Sequence, residues 1–99
     1  MSMRIQVHDL EFDEWNEDEM WAHRVSADEV RQVLDNAPAF VPNKRAHPAP
    51  VVMLGQTYGG RWLTVPLDKT ARPAVWRPAT AWDSTKAEQA RYRADRQRR

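Results

Sequence analysis

The chain has 99 residues, 41% of them hydrophobic, with no cysteine and a net charge of +1. That is enough chain for one modest core; the apolar fraction argues against disorder throughout, and disulfides and thiolate zinc sites are excluded. No apolar run approaches the roughly 20 residues of a membrane span, and "MSMRIQVHDL" lacks the apolar centre of a signal peptide, so a cytoplasmic protein is expected.

"RIQV" near the start predicts a short strand. "NEDEMWAHRV" predicts a helix with Asn16 as N-cap, Glu19 three residues on as its reciprocal partner, and Met20, Trp21 and Val25 as its apolar side. "SADEVRQVLDN" repeats the pattern more clearly. Ser26 and Glu29 form a capping box, Val30, Val33 and Leu34 make an apolar stripe, and Asn36 with Pro38 stops the helix. A turn-rich stretch follows, "AFVPNKRAHPAP", with room for a short strand around Phe40.

The period then changes. "VVMLGQTYGGRWLTVPLD" reads as two strands joined at Gly59-Gly60. A two-residue loop there pairs Tyr58 with Arg61 and Leu54 with Val65. One face then collects Val52, Leu54, Leu63, Val65 and Leu67, the side on which the helices pack; the other collects Met53, Gly55, Thr57, Trp62 and Thr64. In "AVWRPATAW" alternation separates Val75, Arg77, Ala79 and Ala81 from Trp76, Pro78, Thr80 and Trp82. Burying Arg77 without a partner costs several kcal/mol, so the tryptophans are turned toward the helices and Arg77 toward the second face. Pro66 and Pro78 lack a ladder donor, which places them at edges or bulges. "DSTKAEQARYRADRQ" closes as a helix capped by Thr85 and Glu88. The order β-α-α-β-β-β-α describes an α+β domain: a small, mostly antiparallel sheet of four or five strands, two N-terminal helices packed on one face, and a C-terminal helix. Residues 1–93 are taken as the single domain and 94–99 as a basic tail.

Charge is unevenly spread along this order. Residues 1–40 hold 3 Lys/Arg and 10 Asp/Glu, a balance of −7; residues 41–99 hold 12 and 4, a balance of +8. Either the halves neutralise each other in the fold, or an acidic element faces one way and an anion-seeking surface another. The second reading draws on a diffuse basic set: Lys44, Arg45, Arg61, Arg77, Arg91 and the terminal arginines, with Trp62 and Tyr92 among them. Arginine forks match phosphate oxygens and aromatic rings stack on unpaired bases, so single-stranded RNA suits such a surface. RNA also carries its own nucleophile in the 2′-hydroxyl; an enzyme need only align it, stabilise the phosphorane charge and move two protons. On the last helix Glu88, Arg91 and Tyr92 share a face at i, i+3 and i+4. Read as ordinary surface, the same residues are solvated charges, and Glu88–Arg91 a weak helix pair. No phosphate loop, nucleophile elbow or zinc-binding helix motif occurs. His8, His23 and His47 are scattered, and neither a metal nor a cofactor is expected.

Several stretches resemble the BrnT-type toxins. "FDEWNEDEMWAHRVSADEV" resembles the family's opening at His23, Val25, Ser26 and Glu29. "LGQTYGGRWLTV" resembles its hairpin at Gly55, Gly60, Arg61 and Leu63, and "RPATAWDSTKAEQARY" its final strand and helix at Arg77, Ala81, Thr85, Glu88 and Tyr92. The resemblance spans residues 12 to about 93. It implies a RelE-like fold, metal-independent endoribonuclease activity, and neutralisation by a small antitoxin within a type II toxin–antitoxin pair. In that reading Arg77 and Arg61 clamp the scissile phosphate, Glu88 or His23 is the base, and Tyr92 orients or donates. Lys44, Arg45, Arg91 and Trp62 hold the RNA. Where family members commonly carry an arginine this chain has Trp82, so Arg77 or Arg61 must supply that charge. The alternative is a catalytically inactive module that binds RNA or protein. Expected partners are RNA and the antitoxin, with a homodimer left open.

Overall fold

The computed structural model describes residues 5–44 and 48–98. Along the chain run β1 (Asp9–Leu10), α1 (Glu14–Trp21), α2 (Ala27–Asp35), β2 (Ala39–Pro42), β3 (Val51–Gln56), β4 (Trp62–Lys69), β5 (Val75–Pro78), β6 (Trp82–Asp83) and α3 (Lys86–Gln97). The strands form one open sheet in the order β1-β5-β4-β3-β2, with β6 also pairing β4. Only the β1–β5 pair is parallel. The α+β class therefore agrees with the sequence reading, as do the two helices before the hairpin and the one after it, but the sheet has six strands rather than four or five, with five rather than three between α2 and α3. Residues Ile5–Val7 are not a strand; the strand begins at Asp9. The expected domain boundary at residue 93 falls inside α3, which continues to Gln97.

Helix starts are set by side chains that satisfy the free amides of the first turn. Ser26 with Glu29 and Thr85 with Glu88 form the expected reciprocal boxes. The first helix starts earlier than expected, at Asp13, whose carboxylate accepts from Asn16 N at 2.9 Å while Asn16 Oδ1 accepts from Asp13 N at 2.8 Å. Asn16 is buried, and its amide also donates to Glu11 O. Being fully occupied there, it serves as the third helical residue rather than the cap. Met20 and Val25 enter the core as expected, but Trp21 is exposed.

The β3–β4 hairpin pairs one residue out of the expected register. Val51 faces Leu67, Met53 faces Val65, and Gln56 faces Trp62. The reason is the loop. Gly60 N donates to Thr57 O at 3.0 Å and Thr57 N to Arg61 O at 2.9 Å, so Tyr58, Gly59 and Gly60 form a three-residue loop. Gly60 takes the left-handed position at φ +91°, where glycine avoids a Cβ clash. One added loop residue exchanges the faces of β3. Val51 and Met53, not Val52 and Leu54, now join Leu63, Val65 and Leu67 with Met20, Val25, Val30, Val33, Trp76 and Ala81 in the main core under α1 and α2. Val52 and Leu54 pack with Ala39, Val41 and Tyr92 of α3 on the opposite side. Helices thus cover both faces of the sheet.

The segment read as one strand over "AVWRPATAW" is broken into β5 and β6. Pro66 explains the position of the break. Trp62 O and Pro66 O accept from Ser84 N and Ala79 N, so this set of β4 residues turns its backbone toward β5 and β6. The donor missing from Pro66 falls in the gap between those two strands, a local edge inside a central strand. Across the gap the facing changes. Trp76 lies in the core under α1 and α2 as expected, whereas Trp82, paired with Thr64, faces α3; Ala81 takes the core side.

Candidate nucleic-acid interface

The sequence-predicted residues separate into three places. β1 pairs with β5 only as far as Trp76, so at Arg77 β5 becomes the sheet edge. The register sets Arg77 beside Asp68, on the α3 face as expected. Its guanidinium is not open to a ligand on that face, however. Nε donates to Asp13 Oδ2 at 2.8 Å and Nη2 to Asp13 Oδ1 at 3.1 Å. This bidentate bond holds the Asp13 carboxyl below its ordinary pKa and raises that of Arg77.

Arg61 lies at the other end of α1. Its Nε donates to Asp83 Oδ1 at 2.7 Å, and Nη1 to Glu29 Oε2 at 3.0 Å and to Arg24 O at 2.8 Å. Its hydrogen bond to Asp83 raises the Arg61 pKa and lowers that of Asp83. Burial acts to raise Glu29, but hydrogen bonds from Ser26 and Arg61 outweigh it and leave that carboxyl below its ordinary value. His23 stands beside this group, its ring centroid 6.4 Å from that of Trp82, and its carbonyl accepts from Arg61. Arg77 meets the cap before α1 and Arg61 the turn after it. Eight helical residues separate those points by about 12 Å, so one phosphate cannot lie against both guanidinium groups.

The third place is the α3 face. A cleft of about 180 Å³ lies between α3 and the sheet, lined by Lys44, Thr64, Trp82, Glu88 and Arg91 among others. Lys44 is exposed. Arg91 Nη2 donates to Pro42 O at 2.8 Å, which pins the helix to β2. Glu88 is tied inward: Oε1 accepts from Thr85 N at 2.8 Å and from Trp82 Nε1 at 3.2 Å. Trp82 thus places its indole N–H beside Glu88, the acidic side chain that lines the cleft among the described residues. Further along α3, Tyr92 stacks edge-on against Trp62 with centroids 5.0 Å apart, and its hydroxyl donates to Ala37 O. Arg93 lies over the Trp62 ring at 5.6 Å. Arg45 lies outside the described residues.

Lys44, Glu88, Arg91, Tyr92 and Trp62 therefore share one face; Arg77 leaves the sheet on that side but is held by Asp13 at the β5 edge, and Arg61 and His23 lie at the turn after α1. Among the described residues, Arg91, Arg93, Arg96 and Arg98 have no carboxylate partner. What this face offers chemically is cations and aromatic rings beside a shallow cleft, a combination that accepts phosphates and bases. Sequence reading missed Asp13, Glu29 and Asp83 as partners of the two arginines. Only for Asp13 was there a local signal, the Asp-x-x-Asn spacing of a cap. No group of acidic and histidine side chains able to hold a metal occurs among the described residues, nor is any helix among them long and apolar enough to cross a membrane. In comparisons with family models, curated proteins and solved structures, nothing matches this chain.

Proposed function

We propose that the chain binds single-stranded RNA across its α3 face and acts as the RNA-directed toxin of a type II toxin–antitoxin pair. The pair, the RelE-like fold and the cleavage rest on the resemblance to BrnT-type toxins. The observation that carries the binding surface is the grouping of Lys44, Arg91 and Arg93 with Trp62 and Trp82 on one side of the sheet, without carboxylate partners for these arginines among the described residues. Phosphates take the cations and unpaired bases take the rings. For cleavage, a 2′-hydroxyl set in the cleft attacks its own phosphate, Arg91 and Lys44 stabilise the developing charge, and Glu88 receives the hydroxyl proton. The leaving oxygen takes a proton from water or from Lys44. No metal is required.

A second reading, binding without cleavage, is favoured by one specific arrangement. Both Arg61 and Arg77 are held by carboxylates, and the Glu88 carboxylate already accepts from Thr85 N and Trp82 Nε1 within the fold. Induction of the intact protein in bacteria separates the readings. Growth arrest with fragmented RNA, abolished by Glu88→Gln, supports the toxin. Unimpaired growth with intact RNA excludes cleavage, and anisotropy titration of a labelled RNA oligonucleotide then decides. Salt-sensitive binding supports the module, and failure to bind overturns both.

A further inference from the structure

The ion pairs of Arg31, Arg61, Arg72 and Arg77 neutralise only part of the charge asymmetry. α1 keeps Glu14, Glu17, Asp18 and Glu19 exposed, and none of the four has a cationic partner among the described residues. The same helix leaves Trp15 80% and Trp21 54% exposed, although most of its other apolar surface is buried through Met20. Carboxylates beside the exposed Trp15 and the partly exposed Trp21, over which Arg24 already lies, form a surface suited to guanidinium groups, which donate to a carboxylate fork and stack on an aromatic face. On the opposite side of the sheet α3 presents Arg91, Arg93 and Arg96, followed by Arg98 at its C-cap, again with no acidic partner among the described residues. Within one molecule the sheet stands between these helices, so they cannot satisfy each other. Between two molecules they can. Arginine over an aromatic ring is already a recurring contact here, at Arg24–Trp21, Arg31–Phe12, Arg93–Trp62 and Arg96–Tyr92.

We propose that the acidic, tryptophan-bearing surface of α1 docks onto the arginine-rich surface of α3 in a second copy of the chain. Because the two surfaces differ and lie on opposite sides, the contact is head-to-tail, and each added copy leaves one surface of each kind open. The inference does not depend on RNA binding; the α3 surface is shared, so RNA and a second copy compete for it.

Sedimentation velocity of the full chain, without RNA, provides the test. At low ionic strength the mass rises with concentration above the 11.6 kDa monomer, and it returns to the monomer near 1 M salt, where the screening length is about 3 Å. A variant with Trp15→Ser, Glu17→Gln and Asp18→Asn, and a second with Arg93→Gln and Arg96→Gln, are each monomeric alone. Mixed, they restore one complementary contact and give a 1:1 complex of twice the monomer mass that grows no further. Far-UV circular dichroism checks that both are folded, and Arg93→Gln with Arg98→Gln replaces the second variant if its helix is lost. A wild-type chain that stays monomeric at low salt overturns the proposal. So does association that persists in either variant, survives high salt, or fails to reappear in the mixture.

Discussion

Arg61 shows how one side chain can settle what a site does. Through Asp83, Glu29 and the carbonyls of His23 and Arg24 it ties β4 to β6 and to the turn between α1 and α2. Arg61 and Glu29 are mostly sheltered, with side-chain exposures of 28% and 29%, while Asp83 is open at 66%. Arg61→Ala should therefore lower the unfolding free energy by about 1–2 kcal/mol in urea denaturation, less than fully buried charged hydrogen bonds would give. The pH dependence follows from the sign of the shifts. Glu29 and Asp83 have folded-state pKa values below the ordinary 4.5 and 3.8, so their contribution is complete above those values and is lost as pH falls through the lowered ones. Wild type should lose stability more steeply than Arg61→Ala as acid is added below pH 4.5; parallel curves would show that the pair contributes nothing. None of this was legible in "YGGRWL", because the partners lie 22 and 32 residues away in sequence. Nor was the Arg77–Asp13 pair, whose separation is 64 residues.

At the scale of elements, what was local was readable and what depended on a count was not. The boxes at Ser26 and Thr85 could be read because cap and partner are three residues apart. The strands of the β3–β4 hairpin could be read from composition, but its register hung on whether Tyr58 belonged to strand or loop, and that one residue decided which face of β3 met the helices. Gly55 is where the decision bears on packing. In the observed register it lies under α2, and a Cβ there would stand 3.2 Å from Val33 Cγ1 and 3.3 Å from Pro38 Cα. The backbone of Pro38 cannot rotate away as a side chain would. Gly55→Ala should destabilise by roughly 1–3 kcal/mol, read as a lower melting temperature. Had the expected register held, Gly55 would face α3 and its neighbours would tolerate the methyl group, so an unchanged melting temperature would overturn the observed pairing.

For the whole molecule, the net charge of +1 predicts almost no general attraction to nucleic acid, and the sequence asymmetry alone could not say whether the two signs meet. They meet at Asp13–Arg77, around Arg61 and, more loosely, at Asp9–Arg31 and Glu11–Arg72, and remain apart on α1 and α3. On the proposed reading the affinity for RNA comes from the α3 side, and its salt dependence counts the cations engaged. If Lys44, Arg91 and Arg93 each neutralise one phosphate, the logarithm of the binding constant should fall against the logarithm of salt concentration with a slope of about −2, each contact on a single strand supplying roughly 0.7. Lys44→Ala with Arg91→Ala should flatten that slope by about 1.4 in anisotropy titrations across a salt series. Arg77→Ala, in contrast, removes a charge that Asp13 already neutralises and should leave the slope unchanged. The reverse pattern, a slope insensitive to the α3 cations but flattened by Arg77→Ala, would mean that Asp13 gives way to phosphate and that the RNA surface lies at the β5 edge.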